Sequence, residues 1–177
     1  MSAMTRVMFV DWESLLGEPT SQDIMIWYQV QRLQEHYVSV LDTGRLEEWP
    51  ELFTEDCLYE VVPRENVNHV LPGGVMRCFG RPMLRDYIAS LRNAKVCELH
   101  TFRHITSGLE ITQLDADRFD TESNYVVVET LADRESRVGQ AGRYLDRVVR
   151  TVEGWRNQRT RAVYDTSGMQ SWSVSPI

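Results

Sequence analysis

The sequence has little or none of several features on which common function classes depend. Of its 19 basic residues only Lys95 is lysine, the rest being arginine. Three cysteines, Cys57, Cys78 and Cys97, stand far apart with no Cys-x-x-Cys pair. An odd count at that spacing suggests neither a disulfide framework nor a zinc site, and it fits a reducing, cytoplasmic compartment. No apolar run approaches the roughly 18 residues that cross a bilayer, and the N-terminus carries acids where a signal peptide has a basic stretch before an apolar one. Secretion and membrane insertion are therefore not expected. A Gly-x-Gly-x-x-Gly turn, a Walker loop, Gly-x-Ser-x-Gly and His-Glu-x-x-His are all missing, so dinucleotide, phosphate, serine-hydrolase and zinc-protease readings drop out.

What is there is ordinary for a globular chain. With 177 residues, 42% hydrophobic and 25% charged, and a mean hydropathy of -0.36, one compact core is expected. The net charge of -7 argues against nucleic acid as the main partner, because phosphate binding needs a basic surface. The distribution is more informative. Residues 1–60 hold three basic and 12 acidic side chains, whereas residues 61–177 hold 16 basic and 14 acidic. The arginines suit bidentate carboxylate pairs and interfaces, and genomic codon bias accounts for them equally well.

The pattern along the chain divides it into an N-terminal arm at 1–20, one domain at 21–166 and a tail at 167–177. The arm is rich in apolar residues for a free end, which suggests that it packs on the domain or on a partner. Thr20 and Asp23 read as a capping box. Ile26, Val30, Leu33, Tyr37 and Val40 then give the apolar face of a helix of about 20 residues that closes at Thr43-Gly44. A short acidic helix through Leu46, Trp49 and Phe53 follows, with Pro50 inside it. Residues 57–63 read as a strand and Pro72-Gly73-Gly74 as a turn. Gly80-Arg81-Pro82 opens a second helix whose apolar face is Leu84, Ile88 and Leu91. From about residue 98 the apolar period shortens to two, giving strands at 98–106, 108–116, 119–131, 138–151 and 155–166. Turns are marked by Ser107-Gly108, by Asp115, Asp117 and Asp120, by Asp133 with Glu135, and by Glu153-Gly154. Helices first and antiparallel strands second is the α+β pattern, with helices packed on one face of a curved sheet.

The chemistry these residues can support is limited. A Rieske iron–sulfur cluster needs two Cys-x-His pairs, and the residues two places after the cysteines are Tyr59, Gly80 and Leu99. The one cluster of interest is His100-Thr101-Phe102-Arg103-His104, because both histidines project from the same strand face. With a carboxylate such as Asp56 or Asp146, and with Tyr59, they would make an acid–base pocket. A single carboxylate would instead suggest an iron site, although four residues of strand separate the rings by about 13 Å, too far to share one metal. The alternative is interface or structural hydrogen bonding. Arg143, Arg147 and Arg150 on one strand and Arg156, Arg159 and Arg161 on the next suggest a basic stripe that is either a solvated face, a subunit interface or an anion site. Trp49, Phe53 and Tyr59 read as core.

Several segments together resemble a known family. The helix ending in Asp42, then Trp49-Pro50-Glu51-Leu52-Phe53 and Asp56-Cys57-Leu58-Tyr59-Glu60-Val61, is similar to the opening of the nuclear-transport-factor-2-like α+β cone. Arg64-Glu65-Asn66, Met83-Leu84-Arg85-Asp86, Arg103-His104, Gly142-Arg143-Tyr144-Leu145-Asp146 and Arg161-Ala162-Val163-Tyr164-Asp165-Thr166 resemble, more narrowly, the small (beta) subunits of aromatic-ring-hydroxylating dioxygenases. The likeness spans roughly residues 22–170, and it departs from many members in having Tyr87 where they carry an arginine. It implies a cone-shaped roll and a subunit without catalytic, cofactor or metal residues of its own. It also implies that the Rieske [2Fe-2S] cluster and the mononuclear iron belong to a larger alpha subunit, in an α3β3 assembly, and general likeness to those members suggests a carboxylated aromatic substrate. The candidate interface residues are then His100, Arg103, His104, Arg143, Arg147, Arg159, Arg161 and Trp172. The rival is a free-standing dehydratase, isomerase or cyclase on the same cone, using His100, His104, Asp56, Tyr59 and Asp146.

Overall fold

Thr20 opens the first helix as expected: its hydroxyl accepts the Asp23 N–H at 3.2 Å while the Asp23 carboxylate accepts the Thr20 N–H at 3.1 Å. This capping box starts α1 (Ser21–Asp42), and Gly44, at φ +70°, follows the turn that ends it. The computed structural model describes residues 18–68, 74, 76–93, 100–131, 135–165 and 176–177. Residues 1–17 of the arm, Pro72, Gly73, Cys97, Asp133, Thr166 and Trp172 lie outside the described residues, as does the side chain of His100.

A 3-10 helix (Leu46–Leu52) holds Pro50 and leads into β1 (Phe53–Pro63), four residues earlier than the sequence pattern places the strand. Two short elements, α2 (Arg64–Asn68) and β2 (Met76–Phe79), carry too few residues to show a period. Then come α3 (Gly80–Asn93), β3 (His100–Gln113), β4 (Arg118–Leu131), β5 (Ser136–Thr151) and β6 (Gly154–Tyr164). The pattern divided β3 into two strands at Ser107-Gly108. The chain instead stays in one strand, because Gly108 at φ +66° absorbs a register shift between Ser107 and Glu110.

The six strands order as β2-β1-β6-β5-β4-β3. All neighbouring pairs are antiparallel except β1 and β6, which run parallel with Tyr59 opposite Thr160. This is the expected helices-then-curved-sheet architecture, an open sheet with β2 and β3 at its edges, in which an interior parallel pairing joins β1 to β6. The inner face of the sheet meets α1 and α3. Ile26, Val30, Tyr37 and Val40 of α1 and Leu84 and Ile88 of α3 are buried there, as their spacing predicts. The main cluster is aromatic. Trp49, Phe53 and Tyr59 are fully buried, and Tyr37 meets Trp49, Phe53 and Tyr144 edge-on. At its start, α1 is apolar beyond its buried stripe: Ile24, Met25, Trp27 and Tyr28 stay exposed.

Candidate functional site

Alternation along the strands decides which candidate side chains can meet. On the inner face, Asp146 of β5 lies across from Thr160 of β6 and Tyr144 across from Ala162, with Val30, Leu33, Gln34 and Tyr37 of α1 above them. Together these residues enclose a cavity of about 20 Å³, room for about one water molecule. The Tyr144 hydroxyl, Asp146 Oδ1 and Thr160 Oγ1 are buried there without a hydrogen-bond partner of good geometry among the described residues. Burial pushes the Asp146 carboxyl up to about 7, against the weaker opposing pull of the neighbouring Thr160 hydroxyl and the Arg159 charge.

That shift fixes a pH dependence. The folded chain binds the Asp146 proton more tightly than the unfolded chain does, so the stabilisation is complete below pH about 4 and is lost as pH rises through about 7. Asparagine reproduces the shape of the protonated acid at any pH. Asp146→Asn is therefore expected to change little at pH 4 and to stabilise the fold by about 1–3 kcal/mol at pH 8. Urea unfolding at the two pH values checks this, and equal effects at both would show that Asp146 is charged and paired in the folded state.

His104 takes a different partner from those the sequence suggested. Its ring Nδ1 lies 2.6 Å from Asp42 Oδ1, and its backbone N–H reaches both oxygens of the same carboxylate at 3.1 Å. The ring is 3% exposed, and its Nε2 has no partner among the described residues. Asp42 ends α1, where a carboxylate opposes the helix dipole, so His104 compensates a charge the helix disfavours. Arg103, on the outer face, reaches the Asp42 main-chain oxygen at 3.3 Å.

The remaining members of the proposed acid–base set are dispersed. Asp56 is exposed and accepts from the Thr54 hydroxyl at 2.7 Å. Tyr59 is fully buried, with its hydroxyl engaged by Ile177. Register places His104 level with Gln140 through Val127, six residues or about 20 Å along β5 from Asp146. The rival enzyme pocket of His100, His104, Asp56, Tyr59 and Asp146 is thus not assembled: the described side chains of that set serve separate contacts.

The arginines on the outer face are not an unpaired basic stripe. Arg143 pairs with Glu122, and Arg147 holds Asp120 through two hydrogen bonds of 2.7 and 2.9 Å. Arg161 binds Glu60 Oε2 at 2.8 and 3.0 Å while Arg77 takes Oε1 at 3.1 Å, around a carboxylate only 7% exposed. The acidic first third is matched in the same way. Glu47 meets Arg92, and Glu51 meets Arg81 and Arg85. The hydrogen bonds from Arg92 and Arg85 hold Glu47 and Glu51 below the usual carboxylate range. Much of the charge asymmetry read from the sequence is consumed inside the chain. Arg159 differs: its Nε is buried without a hydrogen-bond partner among the described residues.

The donors among the described residues fit neither of the iron groups that the resemblance assigns to the larger subunit. Cys57 and Cys78 are buried thiols, Cys57 pushed up to about 11 by desolvation, and no group of three or more His, Cys, Asp or Glu among the described residues could hold a metal ion.

The SnoaL-like domain family matches residues 27–161. Over 160 residues the chain is 49% identical to the small subunit of anthranilate 1,2-dioxygenase from Burkholderia cepacia, covering 90% of this chain and 99% of that one. It is 30% identical over 150 residues to a beta subunit of the terminal oxygenase component of terephthalate 1,2-dioxygenase from Comamonas sp., covering 84% and 97%. A solved structure assigned as the beta subunit of an aromatic-ring-hydroxylating dioxygenase from Novosphingobium aromaticivorans superposes with a TM-score of 0.78 at 37% identity, covering 85% of this chain and 95% of that one.

Proposed function

Because the chain belongs to the SnoaL-like family and, within it, to the small subunits of aromatic-ring-hydroxylating dioxygenases, we propose that it is the non-catalytic beta subunit of such an oxygenase. It supports alpha subunits that carry the Rieske cluster and the mononuclear iron, in a cytoplasmic α3β3 complex. The observation that carries this reading is near-half identity to one such small subunit along almost the whole of both chains. The dispersed acid–base set and the aromatic filling of the cone support the non-catalytic part. Two relatives are named for aromatic carboxylates, which supports a substrate of that class for the complex.

The contact surface is the outer face bearing Arg103, Arg143, Arg147, Arg159 and Arg161, together with His100 and the tail around Trp172. His104 acts from inside the fold, by fixing β3 against the end of α1. The exposed apolar start of α1, with Ile24, Met25, Trp27 and Tyr28, lies on the other side of the sheet and offers a second contact surface.

The test is co-expression with the larger subunit followed by native mass and visible absorption. A brown complex of about six chains that takes up oxygen with 2-aminobenzoate is expected. A colourless assembly of this chain alone, with the oxygenase active without it, overturns the proposal. Within that complex, Arg143→Glu places an acid beside Glu122 on a side chain 40% exposed. The reversed charge on the contact face is expected to lower recovery of the assembled complex about tenfold, equivalent to about 1.4 kcal/mol. An unchanged native mass would remove Arg143 from the interface.

A further inference from the structure

The first half of α1 is apolar on two sides. One side carries Ile26 and Val30, which pack on Phe119, Val148 and Trp155 of the sheet. The other carries Ile24, Met25, Trp27 and Tyr28, each about half exposed. Their spacings of three and four residues join them into one patch. Trp27 is fixed in it, since its indole N–H donates to the Leu109 main-chain oxygen at 3.4 Å. One turn further along, the same side turns polar with Gln31, Arg32 and Glu35, the last two forming an ion pair at 2.7 Å. A helix that is apolar all round at one end only calls for a cover over that end.

The chain carries a segment suited to supply it. Residues 1–17 join the described part at Glu18, three residues before α1 begins. Residues 7–10 are all apolar, and Trp12, Leu15 and Leu16 follow. Gly17 and Pro19 stand at the junction, and both residue types suit a reversal of the chain. The patch lies within about 10 Å of helix rise from Ser21, and the ten residues 7–16 span about 15 Å even at helical rise. So short a tether holds the segment at an effective concentration on the order of millimolar, well above that of a second copy or another protein.

We propose that residues 7–16 fold back over α1 of the same chain and cover Ile24, Met25, Trp27 and Tyr28. The second contact surface then belongs to the chain's own arm, and the arginine-bearing outer face is left for the partner subunit. The inference does not rest on the oxygenase reading, because both sides of the contact lie in one chain.

Oxidation by hydrogen peroxide, read by peptide mass spectrometry on the full chain, tests the cover. Without the arm Met25 is 54% exposed and Met83, in the first turn of α3, 44% exposed, so Met25 would oxidise at least as fast. With the arm in place Met25 is expected to oxidise about fivefold or more slowly than Met83. The double substitution Phe9→Asp and Trp12→Asp is expected to abolish that difference and to leave the Met83 rate unchanged. Equal rates in the unaltered chain, or protection that survives the double substitution, overturn the proposal, and the first comparison needs no variant to fold. Co-expression of the two forms separates the chain's own arm from a neighbour's. The tryptic peptide holding Met25 runs from residue 7 to residue 32, so it carries the substitutions and reports its own chain. Met25 of the substituted chain should oxidise fast beside unaltered copies. Protection lent by such a copy, or gained only when the larger subunit is added, assigns the cover to another chain and overturns the proposal.

Discussion

Trp49→Ala is expected to lower the stability of the chain by about 3–5 kcal/mol, the range for deleting a fully buried large aromatic side chain. Trp49 is 0% exposed and packs edge-on against Phe53 at 5.3 Å and Tyr59 at 4.9 Å between ring centroids. It comes from the 3-10 helix, yet it fills the space between α1, α3 and β1. Its loss therefore affects the one place where both long helices and the parallel strand pair are tied together. For a chain of this length that energy corresponds to a melting point about 10 °C lower. Trp49→Phe keeps an aromatic ring and is expected to cost about half as much. Circular dichroism melts of the three proteins check the order, and a Trp49→Ala protein melting within about 2 °C of the original would place the indole outside the cooperative core.

The same cluster shows what could be read in advance. Trp49, Phe53 and Tyr59 were assignable to the core because a short helix and a strand bearing large aromatics must bury them together. The capping box at Thr20 and the apolar faces of α1 and α3 follow from residues three and four apart. Partners joined only by the tertiary fold left no such trace. Asp42 meets His104 across 62 residues, and Glu60 meets Arg161 across 101. Neither pairing has a period or a motif, so the sequence alone groups His104 with Asp56 and Asp146, and Arg161 with a basic stripe. The parallel pairing of β1 with β6 is invisible for the same reason: strand pattern gives the faces of a strand and not its neighbours. One local clue did exist. Asp42 as the last residue of a helix is electrostatically disfavoured, and a nearby cation or hydrogen-bond donor is the ordinary remedy.

The arginines gain a physical meaning from that correction. Glu60, at 5% exposure, is held by Arg161 of β6 and Arg77 of β2, so one buried carboxylate joins the three strands at the parallel seam. Removing one partner of such a group costs more than the intact pair contributes, because a charge is left in a poorly hydrated place. A positive charge at position 161 therefore matters to this fold before any interface is considered. Arg143, whose pair with Glu122 is more exposed, is the cleaner probe of assembly.

Gly142→Ala is expected to be at least as damaging as Trp49→Ala, through the backbone. A β-carbon at position 142 would stand 2.0 Å from the Val163 carbonyl oxygen and 2.9 Å from Tyr164 Cα, both main-chain atoms that cannot swing aside. Gly142 faces Tyr164 in the β5–β6 register, one residue from the hydrogen bond that Asp165 N–H gives to the Ala141 oxygen at 2.9 Å. To admit even a methyl group the two strands must part where β6 also carries the parallel pairing with β1. The cost combines overpacking with lost ladder hydrogen bonds, about 3 kcal/mol or more. Gly44→Ala serves as the control, since nothing lies within 4 Å of its β-carbon position and its φ of +70° alone penalises alanine by about 1 kcal/mol. Urea unfolding should rank Gly142→Ala well below Gly44→Ala. If the two midpoints coincide, β5 and β6 do not approach as closely as this sheet requires, and the joint between the meander and the first strand would need to be redrawn.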